Sequence, residues 1–167
     1  MSELTPEPPG DSPTEFTHLD ARGGARMVDV SAKDVSVRTA TASGRVLVSP
    51  EVVTLLRAGE VPKGDAIAVA RIAGIQAAKR TPDLVPLCHP IAIHGVVVDL
   101  EINKGHVSIV ATVRTADRTG VEMEALTCVS VAGLALIDMV KSVDPSATIT
   151  DVRVETKTGG KSGDWHR

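Results

Sequence analysis

Asp138 and Lys141 stand three residues apart at the far end of a long apolar run, a spacing that places both on one side of a helix. On a solvated helix such a pair is worth a few tenths of a kcal/mol and nothing more. Beside a surface with no polar face it is partly desolvated, and desolvation plus a charge partner is what shifts a carboxylate or lysine toward proton transfer. Gly120-Val-Glu122-Met123-Glu124 leads into the same run from its other end.

Pro86-Leu87-Cys88-His89-Pro90 holds an imidazole between two prolines. The residue before a proline is pushed out of the α region, so His89 is extended, with Leu87 on its side of the chain and Cys88 on the other. A histidine fixed in this way is a proton carrier near neutral pH, or else a loop residue hydrogen-bonded to backbone. The divergence of adjacent side chains excludes a Cys88–His89 nucleophile pair. Cys88, His89, His94 and Cys128 do not have the spacing of structural zinc ligands, so no metal is expected.

Lys63-Gly64-Asp65 precedes a helix, where free N–H groups and the dipole favour an anion and a lysine would add charge to a phosphate site; taken alone, it reads as a solvated loop lysine. The tail Lys157-Thr-Gly-Gly160-Lys161-Ser162-Gly163 resembles a P-loop only superficially. That motif requires glycine at 155, where Glu155 stands, and only five residues follow Ser162. What remains is a glycine-rich tail that offers Lys157, Lys161 and backbone N–H groups to an anion, or equally a merely flexible chain end.

These residues need elements to hold them. Val35 to Val48 alternates around Gly44 and predicts a strand or strand pair. Ser49-Pro50 opens a short helix that stops near Gly59, and Asp65 caps a second, alanine-rich helix to Arg80, ended by Thr81-Pro82-Asp83. Gly74 within it lets another backbone approach closely. His94–Ile102 and Val107–Thr115 form a β-hairpin about Asn103–His106, with Val96, Val98, Leu100 and Ile102 opposite Val113, Ala111, Ile109 and Val107. Gly120 to Lys141 is the longest helix. Its uncharged run, Ala125 to Ile137, is apolar on nearly every face and too short for a membrane span of about 20 residues, so burial on all sides is expected. Thr148 to Thr156 supplies a last strand. The order predicts an α+β fold, an antiparallel sheet packed with helices, most like a ferredoxin-type fold with an added helix.

Length and charge narrow the function. The chain's 167 residues make one domain, with a single catalytic domain expected over 18–167. Residues 1–17 carry four prolines, Glu3, Glu7, Asp11 and Glu15, and no basic residue, and are expected to be a disordered tail. The 21 acidic residues less these four, set against 18 basic ones, leave the rest at +1. A nearly neutral body does not steer toward DNA or a membrane, so the expected ligand is small and gripped by a local cluster. Phe16 and Trp165 are the only aromatics, which excludes stacking platforms for single-stranded nucleic acid. Two cysteines 40 positions apart, and no apolar leader, point to a cytoplasmic protein with free thiols.

Met27-Val-Asp-Val-Ser-Ala-Lys33, Lys63-Gly-Asp65, Ala70-Arg-Ile-Ala-Gly-Ile-Gln-Ala-Ala-Lys79, Leu84-Val-Pro-Leu-Cys-His-Pro90, Thr119-Gly-Val-Glu-Met-Glu-Ala-Leu-Thr127, Asp138-Met-Val-Lys141 and Gly159-Gly-Lys-Ser-Gly163 occur in this order. Together they resemble the MoaC family, the cyclic pyranopterin monophosphate synthases of molybdenum cofactor biosynthesis. The resemblance runs from about His18 to Gly163. It implies a cytoplasmic homohexamer, a trimer of dimers, of ferredoxin-like subunits without a cofactor. Its substrate is 3′,8-cyclo-7,8-dihydro-GTP, made by a radical S-adenosylmethionine enzyme, and its products are cyclic pyranopterin monophosphate and pyrophosphate. It implies an active-site aspartate at Asp138, substrate contacts at Leu87, Cys88, His89, Met123 and Glu124, and catalytic or phosphate-holding bases at Lys63, Lys141, Arg38 and Lys157. Cys128, Gly133 and Val140 depart from the family within the long helix, where they bear on packing. Two other classes compete: a nucleotide-binding module without turnover, and a hydrolase dependent on Cys88. With Glu124 and Asp138 about 21 Å apart along one helix, the pocket is expected to draw on two chains.

Overall fold

A computed structural model describes residues 19–20, 22–161 and 163–167. The proposed tail over 1–17 lies outside the described residues, as does Ser162. The elements run β1 (Ser36–Leu47), α1 (Pro50–Ala58), α2 (Ala66–Ala78), α3 (Thr81–Leu84), β2 (Gly95–Ile102), β3 (His106–Asp117), α4 (Glu122–Val140), β4 (Thr148–Thr158) and β5 (Trp165–His166). One antiparallel sheet has the order β2-β3-β1-β4-β5. Without β5 this is the split βαβ arrangement, and it bears out the α+β expectation.

The local capping rule holds at two of the four helix starts among the described residues. Ser49 Oγ accepts from Val52 N to start α1, and Asp65 accepts from Ala68 N to start α2. The hairpin register pairs Val96 with Val113, Val98 with Ala111, Leu100 with Ile109 and Ile102 with Val107, as the alternation predicts. The first segment is one strand, not a pair: Gly44 faces Ile109 in mid-ladder, and its bare backbone lies under Val129. Pro82 does not simply end α2. Thr81-Pro82 opens the single turn of α3, proline being suited to a first turn because its missing N–H has no partner there anyway.

The helices α2 and α4 pack together and cover one face of the sheet. Ala66, Ala70, Gly74, Ala77 and Ala78 form the buried side of α2. A Cβ on Gly74 would sit 3.0 Å from Cys128 O and 3.1 Å from Ala132 Cβ, so the two backbones touch where the side chain is missing. Ile109 and Leu136 are the largest fully buried side chains, in a core built from aliphatic residues. Each such side chain contributes about 1.5–3 kcal/mol on burial.

The expectation that α4 is buried on all sides fails in the single chain. Leu134 is 58% exposed and Met123 40%, and Val69 and Ile72 on α2 are also open. A two-layer fold covers α4 with a sheet and one helix only, and a third side stays bare. By length and composition alone the 19-residue helix could cross a membrane, but half of its apolar stretch is buried in the fold. It is the central helix of this core.

Candidate active site

At the C-terminal end of α4, Asp138 lies between two ammonium groups. Lys141 Nζ is 2.6 Å from Asp138 Oδ1, and Lys63 Nζ is 3.0 Å from Oδ2. Lys63 also donates to the Asp138 carbonyl at 2.7 Å, one of the carbonyls a helix end leaves without an intrahelical partner. Hydrogen bonds from Lys141 and Lys63, then their charges, hold the Asp138 carboxyl below its ordinary range. All three side chains are about half exposed. The cluster is an ionised carboxylate with two proton donors in contact, open to a ligand.

This geometry revises one expectation. Lys63 does not guard an anion site at the start of α2. It turns to Asp138, and the α2 N-terminus is already closed by the Asp65 carboxylate.

At the other end of α4 lies a polar cleft of about 230 Å³, lined by Lys33, Arg38, Arg118, Gly120, Glu122 and Lys157 among others. Sheet register builds it. β1 is central, with Ala40 opposite both Val113 on β3 and Lys157 on β4, so Arg38, Arg118 and Lys157 arrive at one end of the sheet. Arg38 Nε donates to Asp117 O at 3.0 Å and Arg118 Nε to Lys33 O at 2.9 Å, which fixes both guanidinium groups. Lys157 Nζ is 3.2 Å from Glu122 Oε1. The first turn of α4 has no side-chain cap, and its N–H groups and dipole add to the positive field here. A second hollow, sharing Lys33 and Arg38, adds Lys161 and Gly160. Four cations around so small a space suit a compact polyanion.

Glu124, in the first turn of α4, is 3% exposed. Burial, with a further push from Glu122, raises its carboxyl to about 7. Cys88 is close enough to sense that charge: burial first, then Glu124, pushes its thiol up. A thiolate nucleophile needs the opposite shift. Burial also pushes the Cys128 thiol up, to about 12. His89 Nε2 lies 2.6 Å from the Val28 carbonyl, so its imidazole is positioned by backbone. Leu87 is half-buried in the same loop and Met123 is open to solvent.

The single chain therefore makes two clusters. Lys63, Asp138 and Lys141 meet at one end of α4; Arg38, Lys157, Met123, Glu124 and the loop carrying Leu87, Cys88 and His89 gather toward the other. The unbroken helix separates Glu124 from Asp138 by roughly 21 Å. Sequence reasoning did not single out Lys33 or Arg118 for the cleft. The one available signal was a basic residue just before Thr119-Gly120, at the entrance of a helix.

Fold and clusters define a class: an α+β chain with a cation-lined cleft at one end of its core helix and a lysine-bracketed carboxylate at the other. The chain belongs to the MoaC family, which matches residues 27–160. It is 68% identical over 163 residues to a cyclic pyranopterin monophosphate synthase of Streptomyces avermitilis, covering 98% of this chain and 95% of that one. A protein of the same name from Parvibaculum lavamentivorans is 58% identical, with 90% and 96% covered. Cyclic pyranopterin monophosphate synthase 2 of Mycobacterium tuberculosis is 56% identical, with 92% of each chain covered.

Proposed function

We propose that this chain is a cyclic pyranopterin monophosphate synthase, a lyase that converts 3′,8-cyclo-7,8-dihydro-GTP to cyclic pyranopterin monophosphate and pyrophosphate in molybdenum cofactor biosynthesis. The observation that carries this is 68% identity over 98% of the chain to a relative of that name. The geometry supplies a physical account. Pyrophosphate departs with growing negative charge, which Arg38, Arg118, Lys33 and Lys157 neutralise in a site arranged beforehand. Rearrangement of the rings needs proton carriers, and Asp138 with Lys63 and Lys141 forms a relay in which each lysine can give a proton and the carboxylate holds it in place. Glu124 titrates near neutral pH and is suited to a hydrogen bond with a guanine-derived ring in either protonation state. Met123 and Leu87 supply apolar contact to the ring.

A small nucleotide cannot span the length of α4. In this reading the pocket takes Asp138, Lys141 and Lys63 from one subunit and Met123, Glu124 and the His89 loop from its neighbour. The open apolar strip of Val69, Ile72 and Leu134 is where another copy would cover α2 and α4. The assembly is then a cytoplasmic homohexamer, a trimer of dimers, of ferredoxin-like subunits, fed by a radical S-adenosylmethionine GTP cyclase.

The direct test mixes purified protein with the cyclised nucleotide and measures pyrophosphate. Release in wild type and none in Asp138→Ala, with nucleotide still bound, is the expected result; absence of pyrophosphate from active-oligomer wild type refutes the function. Co-refolding Asp138→Ala with His89→Ala separately tests the shared pocket. Activity should reappear, and silence after verified subunit mixing assigns both residues to one chain.

A further inference from the structure

We propose that Glu122 is a positioning residue that recaptures Lys157 when pyrophosphate leaves, and so limits how tightly the product is held; this rests on reading the cleft as the pyrophosphate end of the site. A carboxylate inside a cleft lined by Lys33, Arg38, Arg118 and Lys157 repels the polyanion those groups attract. Its presence therefore works against binding and needs a reason. Nor is it an accidental rim residue. A Cβ on Gly120 would fall on the Glu122 carboxylate, which lies in the space that the glycine leaves open.

From that space Glu122 Oε1 reaches Lys157 Nζ at 3.2 Å, with both side chains about two-thirds buried. Among the described residues, Lys157 is the one cleft cation in an ion pair with a carboxylate; Arg38 and Arg118 are anchored by backbone carbonyls instead. The two arginines keep their place whether or not a ligand is present. Lys157 has two alternative partners, and a phosphate oxygen must displace or share it.

The exchange acts unequally on substrate and product. The substrate is held by its ring and ribose as well as its phosphates, and loses little from competition at one lysine. Free pyrophosphate has only the cleft. Restoring the Glu122–Lys157 pair offsets part of what the departing anion gives up, so release is faster than it would be from four unpaired cations.

The test is calorimetric titration of inorganic pyrophosphate into the intact oligomer of wild type, Glu122→Gln, Lys157→Ala and the double variant, paired with pyrophosphate inhibition of turnover. Glu122→Gln should bind pyrophosphate roughly two- to fivefold more tightly, the range that partly exposed ion pairs are worth, and be inhibited by it to the same degree. The gain should vanish when Lys157 is also removed. Glu122→Ala, which removes the charge by another route, should shift affinity in the same direction. Unchanged or weaker binding in both Glu122 variants overturns the proposal while leaving the cleft as the anion site. If Lys157→Ala alone binds pyrophosphate as well as wild type does, the cleft reading falls and takes the proposal with it.

Discussion

Replacing Glu124 by glutamine should stabilise the folded chain at pH 8 while costing it activity. The carboxyl is 3% exposed and raised from 4.5 to about 7, chiefly by burial. Between these values the folded chain keeps a proton that the unfolded chain has released, so stability falls as pH rises through this window. Above pH 7 the full cost stands. A shift of about 2.5 units at about 1.4 kcal/mol each gives a ceiling of about 3 kcal/mol. Glutamine has the same shape and no charge to desolvate, so the gain should be near zero at pH 4 and approach that ceiling at pH 8. For a chain of this size, 3 kcal/mol corresponds to roughly 6–12 °C in Tm. Thermal melts of both proteins from pH 4 to 8 measure the difference directly, with other titrating groups cancelling. Pyrophosphate release should drop in the same variant, because a residue retained at a cost in stability is retained for a task. Parallel Tm curves across the whole range would refute the reasoning, since they would mean that Glu124 ionises in the folded chain as easily as in water.

Lys63→Ala, Lys141→Ala and Asp138→Asn should each abolish turnover while costing the fold no more than about 1 kcal/mol, because the ion pairs are half exposed. A variant that melts early, with its folded fraction still active, would make that residue structural. Gly74→Leu should destabilise by about 1–3 kcal/mol in urea unfolding, since the new side chain meets Cys128 O and Ala132 where α2 and α4 touch; an unchanged midpoint would show that the helices can separate freely. Deleting residues 1–15 should leave oligomer size and rate unchanged by size exclusion and pyrophosphate assay, as the segment has no periodic apolar residues to bury. A large fall in either would give the segment a role in assembly or catalysis.

The fold was legible wherever a local rule acts alone. Alternation on both arms set the β2–β3 register, and side-chain caps at Ser49 and Asp65 set two helix starts. Ambiguity entered with residues that serve two purposes. Pro82 suits a chain stop and a first helical turn equally, and only the surrounding packing selects the turn of α3. β5 has two residues, Trp165 and His166, too few for any period, and exists because β4 leaves an edge beside it. The hydrophobic run of α4 announced a core helix correctly, yet periodicity measures how apolar a face is and not what covers it. Leu134 therefore read as buried, although one chain leaves it open.

The site was legible in the same uneven way. Asp138 and Lys141 follow from helix spacing, but Lys63 joins them across 75 positions, through a turn that no periodic rule describes. Lys157 meets Glu122, and Arg38 meets the Asp117 carbonyl, because β1 is central between β3 and β4; this is a property of strand order. What helix geometry does supply is a length. With α4 unbroken from Glu122 to Val140, the buried carboxylate and the lysine-bracketed one face the same side but lie roughly 21 Å apart. Proton transfer requires heavy-atom separations of about 2.6–3.2 Å, and one small substrate cannot meet that requirement at both ends of such a helix. The two clusters serve one reaction only if a second chain, lying against the open side of α2 and α4, brings the end of its own helix alongside.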